Sequence, residues 1–156
     1  MKIEQLTREG QLALCRRIER HCGLRLRSLR RFADPRDKPL HKILDGRIED
    51  WSLQLRALER LDRRPQEPTS DDDGELVSFL RDRFPSQRNG FGEGPVNRDV
   101  ALYLAECVED ERSRFYHGMA AAARDGDTRA LFQSFADRDE AHLKFLRTVL
   151  LYDYSE

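Results

Sequence analysis

Between Asn97 and Leu151 the chain repeats apolar residues at steps of three and four, with one interruption at Gly126. Ala101, Leu104, Ala105, Val108, Phe115, Tyr116 and Met119 fall on one side of a helix of 3.6 residues per turn. Leu131, Phe132, Phe135, Ala136, Leu143, Leu146 and Leu150 do the same after the break. Two such helices joined by so short a turn must fold back and pack antiparallel, because neither stripe can be left in water. A helix over 97–124 spans roughly 40 Å at 1.5 Å per residue, the full height of a bundle. This pattern restricts the chain to a helical-bundle class.

The first half carries a second pair. Leu12, Cys15, Ile18, Cys22, Leu26 and Leu29 predict a helix over 7–32. Ala33-Asp34-Pro35-Arg36-Asp37 ends it, since proline constrains the residue before it and cannot continue the hydrogen-bond ladder. Leu40, Leu44, Ile48, Trp51, Leu55, Leu58 and Leu61 predict a second helix over 39–62, with Pro39 at a position where a missing N–H does no harm. Charged residues make up 37% and hydrophobic ones 38%, which suits apolar stripes backed by charged outer faces. Val and Thr are scarce and period-2 alternation is hard to find, so no strands are expected.

The stretch 63–96 has another texture. Pro65, Pro68, Asp71-Asp72-Asp73 and Gly90-Phe91-Gly92-Glu93-Gly94-Pro95 are poor helix interior. Between them Leu76, Val77, Phe79 and Leu80 predict a short amphipathic helix over 75–84, capped by the acidic run and docked on the bundle within a long crossover; the alternative is a disordered linker, against which the Phe and Leu content argues. Asn97 is the expected N-cap of the third helix, over 97–124, and Asp127 or Thr128 that of the fourth, over 128–151. Residues 1–156 thus read as a single all-α domain.

A net charge of −1 supplies no field to attract nucleic acid or an anionic membrane. No stretch has the length and apolarity of a bilayer span, and no apolar leader opens the sequence, so a cytoplasmic location is expected. Cys15, Cys22 and Cys107 form no close-spaced metal-binding pair and fit a reducing compartment. Cys15 and Cys22 lie two helical turns apart, too far for a disulfide, and read as small core residues. Arg16, Arg20, Arg27 and Arg31 line one face of the first helix. That face would suit an anionic partner, or be answered by acidic residues on neighbouring helices.

The residues with chemical potential stand inside the apolar stripes. Glu109 shares a face with Ala105, Ser113 and Tyr116, and Asp139 and His142, three apart on the next helix, point the same way. A buried carboxylate needs a partner, either a metal ion or an internal cation. Arg112 and Arg114 are near Glu109 in sequence, Arg16 or Arg20 could reach it from the first helix, and Asp139 could bond His142. Two carboxylates and an imidazole suit iron, with manganese or zinc as alternatives, whereas a self-satisfied cluster holds no cofactor.

Glu109 followed seven residues on by Tyr116, a turn at Gly126, then Leu131-Phe132, Phe135-Ala136, Asp139 and His142, resembles the second helix pair of rubrerythrin-like proteins in the ferritin-like superfamily. The resemblance implies a ferritin-like up-down four-helix bundle with one long crossover and a dimetal-carboxylate site. It makes Glu109 the lone carboxylate of the third helix. Asp139 and His142 become the carboxylate–histidine pair of the fourth, with aspartate where the family has glutamate. Glu19 fits the lone carboxylate of the first helix, and precedes Glu49 by the interval that separates Glu109 from Asp139.

The second helix departs from the pattern. With Glu49 as the counterpart of Asp139, the histidine position falls on Ser52. With Leu55 and Leu58 superposed on Leu143 and Leu146, the pair falls on Trp51 and Gln54. Either register loses the histidine. The expectation is therefore a degenerate site of Glu109, Asp139 and His142, with Glu19 as fourth candidate ligand and Glu49 as a weaker one. The protein would be a non-catalytic or weakly catalytic binding or stress-related module. The alternatives are an active iron- or manganese-dependent oxidoreductase acting on peroxide or oxygen, and a helical scaffold binding an anionic partner through its arginine face. Bundles of this type often pair along their sides, so a homodimer is expected, with a small molecule or protein as further partner and neither nucleic acid nor membrane.

Overall fold

Four helices account for most of residues 2–62 and 97–154, the part of the chain that the computed structural model describes. α1 is Arg8–Phe32, α2 is Lys38–Leu61, α3 is Arg98–Ala122 and α4 is Gly126–Tyr154, preceded by one 3-10 turn, Ile3–Gln5. The short helix expected over 75–84 lies outside the described residues. Among the described residues no helix is long and apolar enough to cross a membrane.

The helix ends follow local chemistry. Thr7 accepts from the Gly10 amide and caps α1, and Asp37 accepts from Leu40 N at 3.1 Å and caps α2, with Pro39 in the first turn. Asn97 caps α3 by accepting from Asp99 N. α4 starts earlier than the sequence pattern indicates. Asp125, rather than Asp127 or Thr128, accepts from Thr128 N at 2.8 Å and from the Thr128 hydroxyl. Gly126 thereby enters the first turn of α4 instead of only breaking the chain.

Cross-helix pairs give the directions. Arg30 with Asp45 and Arg16 with Asp62 set α1 antiparallel to α2. Glu106 with Arg147 and His117 with Glu140 set α3 antiparallel to α4. Arg25 with Glu111, and Gln11 with the Ala122 carbonyl, set α1 antiparallel to α3. Arg47 over the Phe145 ring and Gln54 with Asp139 set α2 antiparallel to α4. α1 and α4 thus run one way and α2 and α3 the other, so α3 starts at the end of the bundle opposite to that where α2 stops. α1–α2 and α3–α4 make the broadest contacts, as short turns dictate.

The apolar core is in two parts. Leu26, Leu29, Leu40, Leu44, Leu104, Val108 and Leu146 pack in one half with Trp51 and Cys22. Leu12, Cys15, Leu58, Met119, Phe132, Phe135 and Ala136 pack in the other around Tyr116. Each fully buried leucine contributes about 1.5–3 kcal/mol through its removal from water. Leu61, expected to point inward, is 41% exposed, while the next residue, Asp62, is buried and pairs with Arg16, so the end of α2 faces α1 through Asp62 instead. Leu102, absent from the expected stripe, is fully buried.

Candidate functional site

Where the two apolar halves meet, every helix presents polar side chains at the same height. Glu19 of α1 lies between Cys15 and Cys22, and Gln54 of α2 between Trp51 and Leu58. Glu109 and Arg112 of α3 lie between Val108 and Tyr116, and Asp139 of α4 between Ala136 and Leu143. All five are fully buried. They form a charged layer across the middle of the bundle.

Arg112 is its hub. Its Nη2 donates to both carboxylate oxygens of Glu19, at 3.2 and 3.0 Å, and to Gln54 Oε1. The same nitrogen lies 3.7 Å from Asp139 Oδ1, and Nη1 lies 3.5 Å from Glu109 Oε2. The Tyr116 hydroxyl donates to Glu19 Oε1, and Gln54 Nε2 donates to Asp139 Oδ1 at 3.1 Å. One guanidinium therefore touches carboxylates from three helices and an amide from the fourth, with the planar multi-donor geometry that lysine lacks.

His142, half-way between centre and surface, faces two acids. Its Nε2 lies 3.0 Å from Asp50 Oδ2, and its Nδ1 lies 3.7 Å from Glu109 Oε2, too long for a hydrogen bond. Asp50 is itself held by Arg47 at 3.1 Å. The partner of His142 at bonding distance is thus Asp50 on α2 rather than Asp139 on its own helix.

The burial costs appear as shifted titrations. Burial pushes the Asp139 carboxyl up to about 7, against the pull of Arg112 and with the neighbouring charges of Glu109 and Glu19 adding to the rise. Burial likewise raises Glu19, although Arg112 and Tyr116 oppose it. For Glu109 the desolvation penalty is outweighed by Arg112, with smaller help from His142 and Arg47, and the carboxyl is held below its ordinary range. Burial acts against the charge on Arg112, but Glu19, Glu109 and Asp139 overcome it and hold the guanidinium charged.

Glu109, Asp139 and His142 offer ligand atoms that all lie within 4.8 Å of one another. Both carboxylate oxygens of Glu109, Asp139 Oδ2 and His142 Nδ1 are buried without a hydrogen-bond partner, and so are Nε and Nη1 of Arg112. The structure brings together the three expected ligands, and Glu19 joins the same layer through Arg112. Glu49 is exposed on α2 and does not.

No family model, no characterised protein and no solved structure matches this chain. The site must be read from its own chemistry.

In the sequence Arg112 stands out only as one of the arginines near Glu109, with little to mark a central role. The signal was present, since Arg112 shares the Ala105–Glu109–Tyr116 face at helical spacing, but arginine in a stripe ordinarily reads as a side chain that snorkels to water. Asp50 carries no signal in its own helix, because what singles it out is His142 on α4. Gln54 is the residue given by superposing the two leucine stripes, and that register is the one that faces the centre. Trp51 packs on α1 instead of filling the centre. Its Nε1 donates to the Glu19 carbonyl, and its ring lies where a Cβ on Gly23 would come within 2.1 Å.

Within the arginine stripe of α1, Arg16 pairs with Asp62, Arg27 lies over the Trp51 ring and Arg31 donates to the Ser28 hydroxyl, and beside it Arg25 pairs with Glu111 and Arg30 with Asp45. Cys15 and Cys22 are buried, and burial pushes both thiols far above their ordinary value, as expected of inert core residues.

Proposed function

We propose that the chain is a ferritin-like protein whose dimetal-carboxylate centre has become an internal guanidinium–carboxylate cluster, and that it works as a non-catalytic or weakly catalytic binding or stress-related module. The observation that carries this reading is Arg112, fully buried and in contact with Glu19, Gln54, Glu109 and Asp139. The helix directions, with α2 and α3 parallel and both short turns joining antiparallel neighbours, support a ferritin-like arrangement.

Two metal ions do not fit these residues. A fixed positive charge stands among the carboxylates that would hold them, and repulsion between cations is strong where water is excluded. α2 offers the neutral amide of Gln54 where a carboxylate–histidine pair would be needed. No two-metal chemistry is derived for this centre.

One divalent ion fits better, and this is the second reading. Three carboxylates face one guanidinium, a surplus of two negative charges, which a single divalent ion at Glu109, Asp139 and His142 would balance. The unpartnered oxygens of Glu109 and Asp139 and the free Nδ1 of His142 are the ligand atoms for it. Iron, manganese or zinc accepts that donor set, and the bound ion would supply Lewis-acid or one-centre redox chemistry. The chain's own part would be positional, with Asp50 orienting His142 and Arg112 holding Asp139 and Glu19. Two protons would cancel the same surplus, and the raised titrations of Asp139 and Glu19 support that route for the metal-free cluster.

Elemental analysis after refolding with iron, manganese or zinc, together with peroxide turnover, separates these readings. No bound metal and no turnover supports the metal-free module. One equivalent, lost in Asp139→Ala, supports the single-ion site. Two equivalents with peroxide turnover would overturn the proposal in favour of an active oxidoreductase. The arginine-face scaffold is a weaker reading because neighbouring acids and Trp51 engage that face. Salt-independent, weak binding to a polyanion would remove it.

A further inference from the structure

The surface groove of about 250 Å³ between α1 and α3, lined by Ile18, His21, Cys22, Arg25, Glu111 and Phe115, has its arginine already paired with Glu111. Leu53 and Phe145 are exposed apolar residues, with nothing to say what would cover them. Arg112 carries an inference further.

Its surroundings are those of a cation site rather than of a helix-surface arginine. Carboxylates arrive from α1, α3 and α4, an amide oxygen from α2 and a phenol hydroxyl from one turn along α3. No acid in this layer is matched one-to-one with a base. The layer is built around a single positive centre, and Arg112 supplies that centre from within the chain.

Nor is the guanidinium fully accommodated. Its Nε and Nη1 are buried without hydrogen bonds while both Glu109 oxygens beside it also lack partners. A residue optimised only as a structural ion pair would bring these donors and acceptors together at bonding distance. At 3.5 Å they are adjacent but unbonded. The guanidinium therefore does not saturate the acids, and Glu109, Asp139 and His142 keep ligand atoms within 4.8 Å of one another.

We infer that Arg112 is a resident cation standing in a metal position, and that removing its charge uncovers a divalent-cation site assembled from Glu19, Glu109, Asp139 and His142. The inference rests on the reading of the layer as a converted metal centre, but it concerns the change from native chain to variant. Whether the native chain holds no ion or one, Arg112 keeps one further ion out. Without the guanidinium, three buried carboxylates lose the cation they share, and a divalent ion with oxygen and imidazole ligands is the partner that can hold several at once. Metal binding then becomes folding free energy, so stability as well as stoichiometry reports it.

The test titrates Co²⁺ into the full chain, into Arg112→Ala, and into Arg112→Gln, which keeps a neutral hydrogen-bonding side chain in the layer and tolerates the metal-free state better. Bound cobalt is counted by elemental analysis and by its visible ligand-field bands, and helicity and melting temperature are followed alongside. The expected result is one more equivalent of Co²⁺ in at least one Arg112 variant than in the native chain, with a cobalt-dependent rise in melting temperature. Adding Glu109→Ala should abolish both. A gain in neither variant, folded or not, overturns the inference, as does a gain that survives Glu109→Ala. The equivalents bound by the native chain test the proposed function separately.

Discussion

Neutralising Asp139 should change how the stability of this bundle depends on pH. In the folded protein burial lifts the Asp139 carboxyl from 3.8 to about 7, so between these values the folded state binds a proton that the unfolded chain has released. A raised carboxyl contributes its stability below the unfolded value and loses it as pH rises through the folded one. The wild-type bundle should therefore lose stability between about pH 4 and pH 7, a loss to which Asp139 contributes up to about 4 kcal/mol at 1.36 kcal/mol per pKa unit. Asp139→Asn keeps the shape and still accepts from Gln54 Nε2, but it has no proton to lose. The variant should therefore gain about 2–4 kcal/mol over wild type at pH 8 and nothing near pH 4. For a chain of this size that is roughly 5–15 °C in melting temperature. Thermal denaturation followed by circular dichroism, in EDTA to keep metal out, measures both proteins from pH 4 to 8. Melting curves that run parallel over that range would refute the argument, because they would place Asp139 outside the uncompensated charge surplus.

Three other perturbations address separate parts of the structure. Gly23→Ala should cost about 1–3 kcal/mol despite alanine's better helix propensity, because its Cβ would meet the Trp51 ring at 2.1 Å. Trp51 is the sole tryptophan, so its fluorescence reports the shift, and unchanged emission with unchanged stability would count against the close approach. His142→Ala should cost about 1–3 kcal/mol, more than a surface change, since it leaves Asp50 and Glu109 facing each other without the imidazole; a melting temperature equal to wild type would place the ring in solvent. Asp37→Ala should cost about 1 kcal/mol or more at neutral pH, because Asp37 both caps α2 and receives two hydrogen bonds from Arg98, at 2.7 and 2.6 Å. Its titration is lowered, chiefly by the bonds from Arg98, so this contribution is present above the unfolded value and fades as pH falls through the folded one. Chemical denaturation at pH 7 and pH 2 should show the difference between variant and wild type shrinking at the lower pH.

The amino-acid sequence alone determined the helices, their inward faces and the candidate ligands. Apolar residues at steps of three and four leave a helix one way to avoid water, so the stripes from Leu12 to Leu29 and from Phe132 to Leu146 were legible without coordinates. Proline and asparagine at Pro39 and Asn97 marked helix starts for equally local reasons. Glu109, Asp139 and His142 stood out because an acid or imidazole inside such a stripe demands a partner. The identity of that partner could be decided only in three dimensions. Whether Arg112 snorkels outward or turns inward depends on which carboxylates the other three helices bring to its height, and spacing along one helix carries no record of that. The same holds for Asp50, whose value lies in His142 on another helix, and for Gly23, whose missing side chain makes room for Trp51. Charge compensation in a dry core is a property of all four helices together, and it is settled only when they pack.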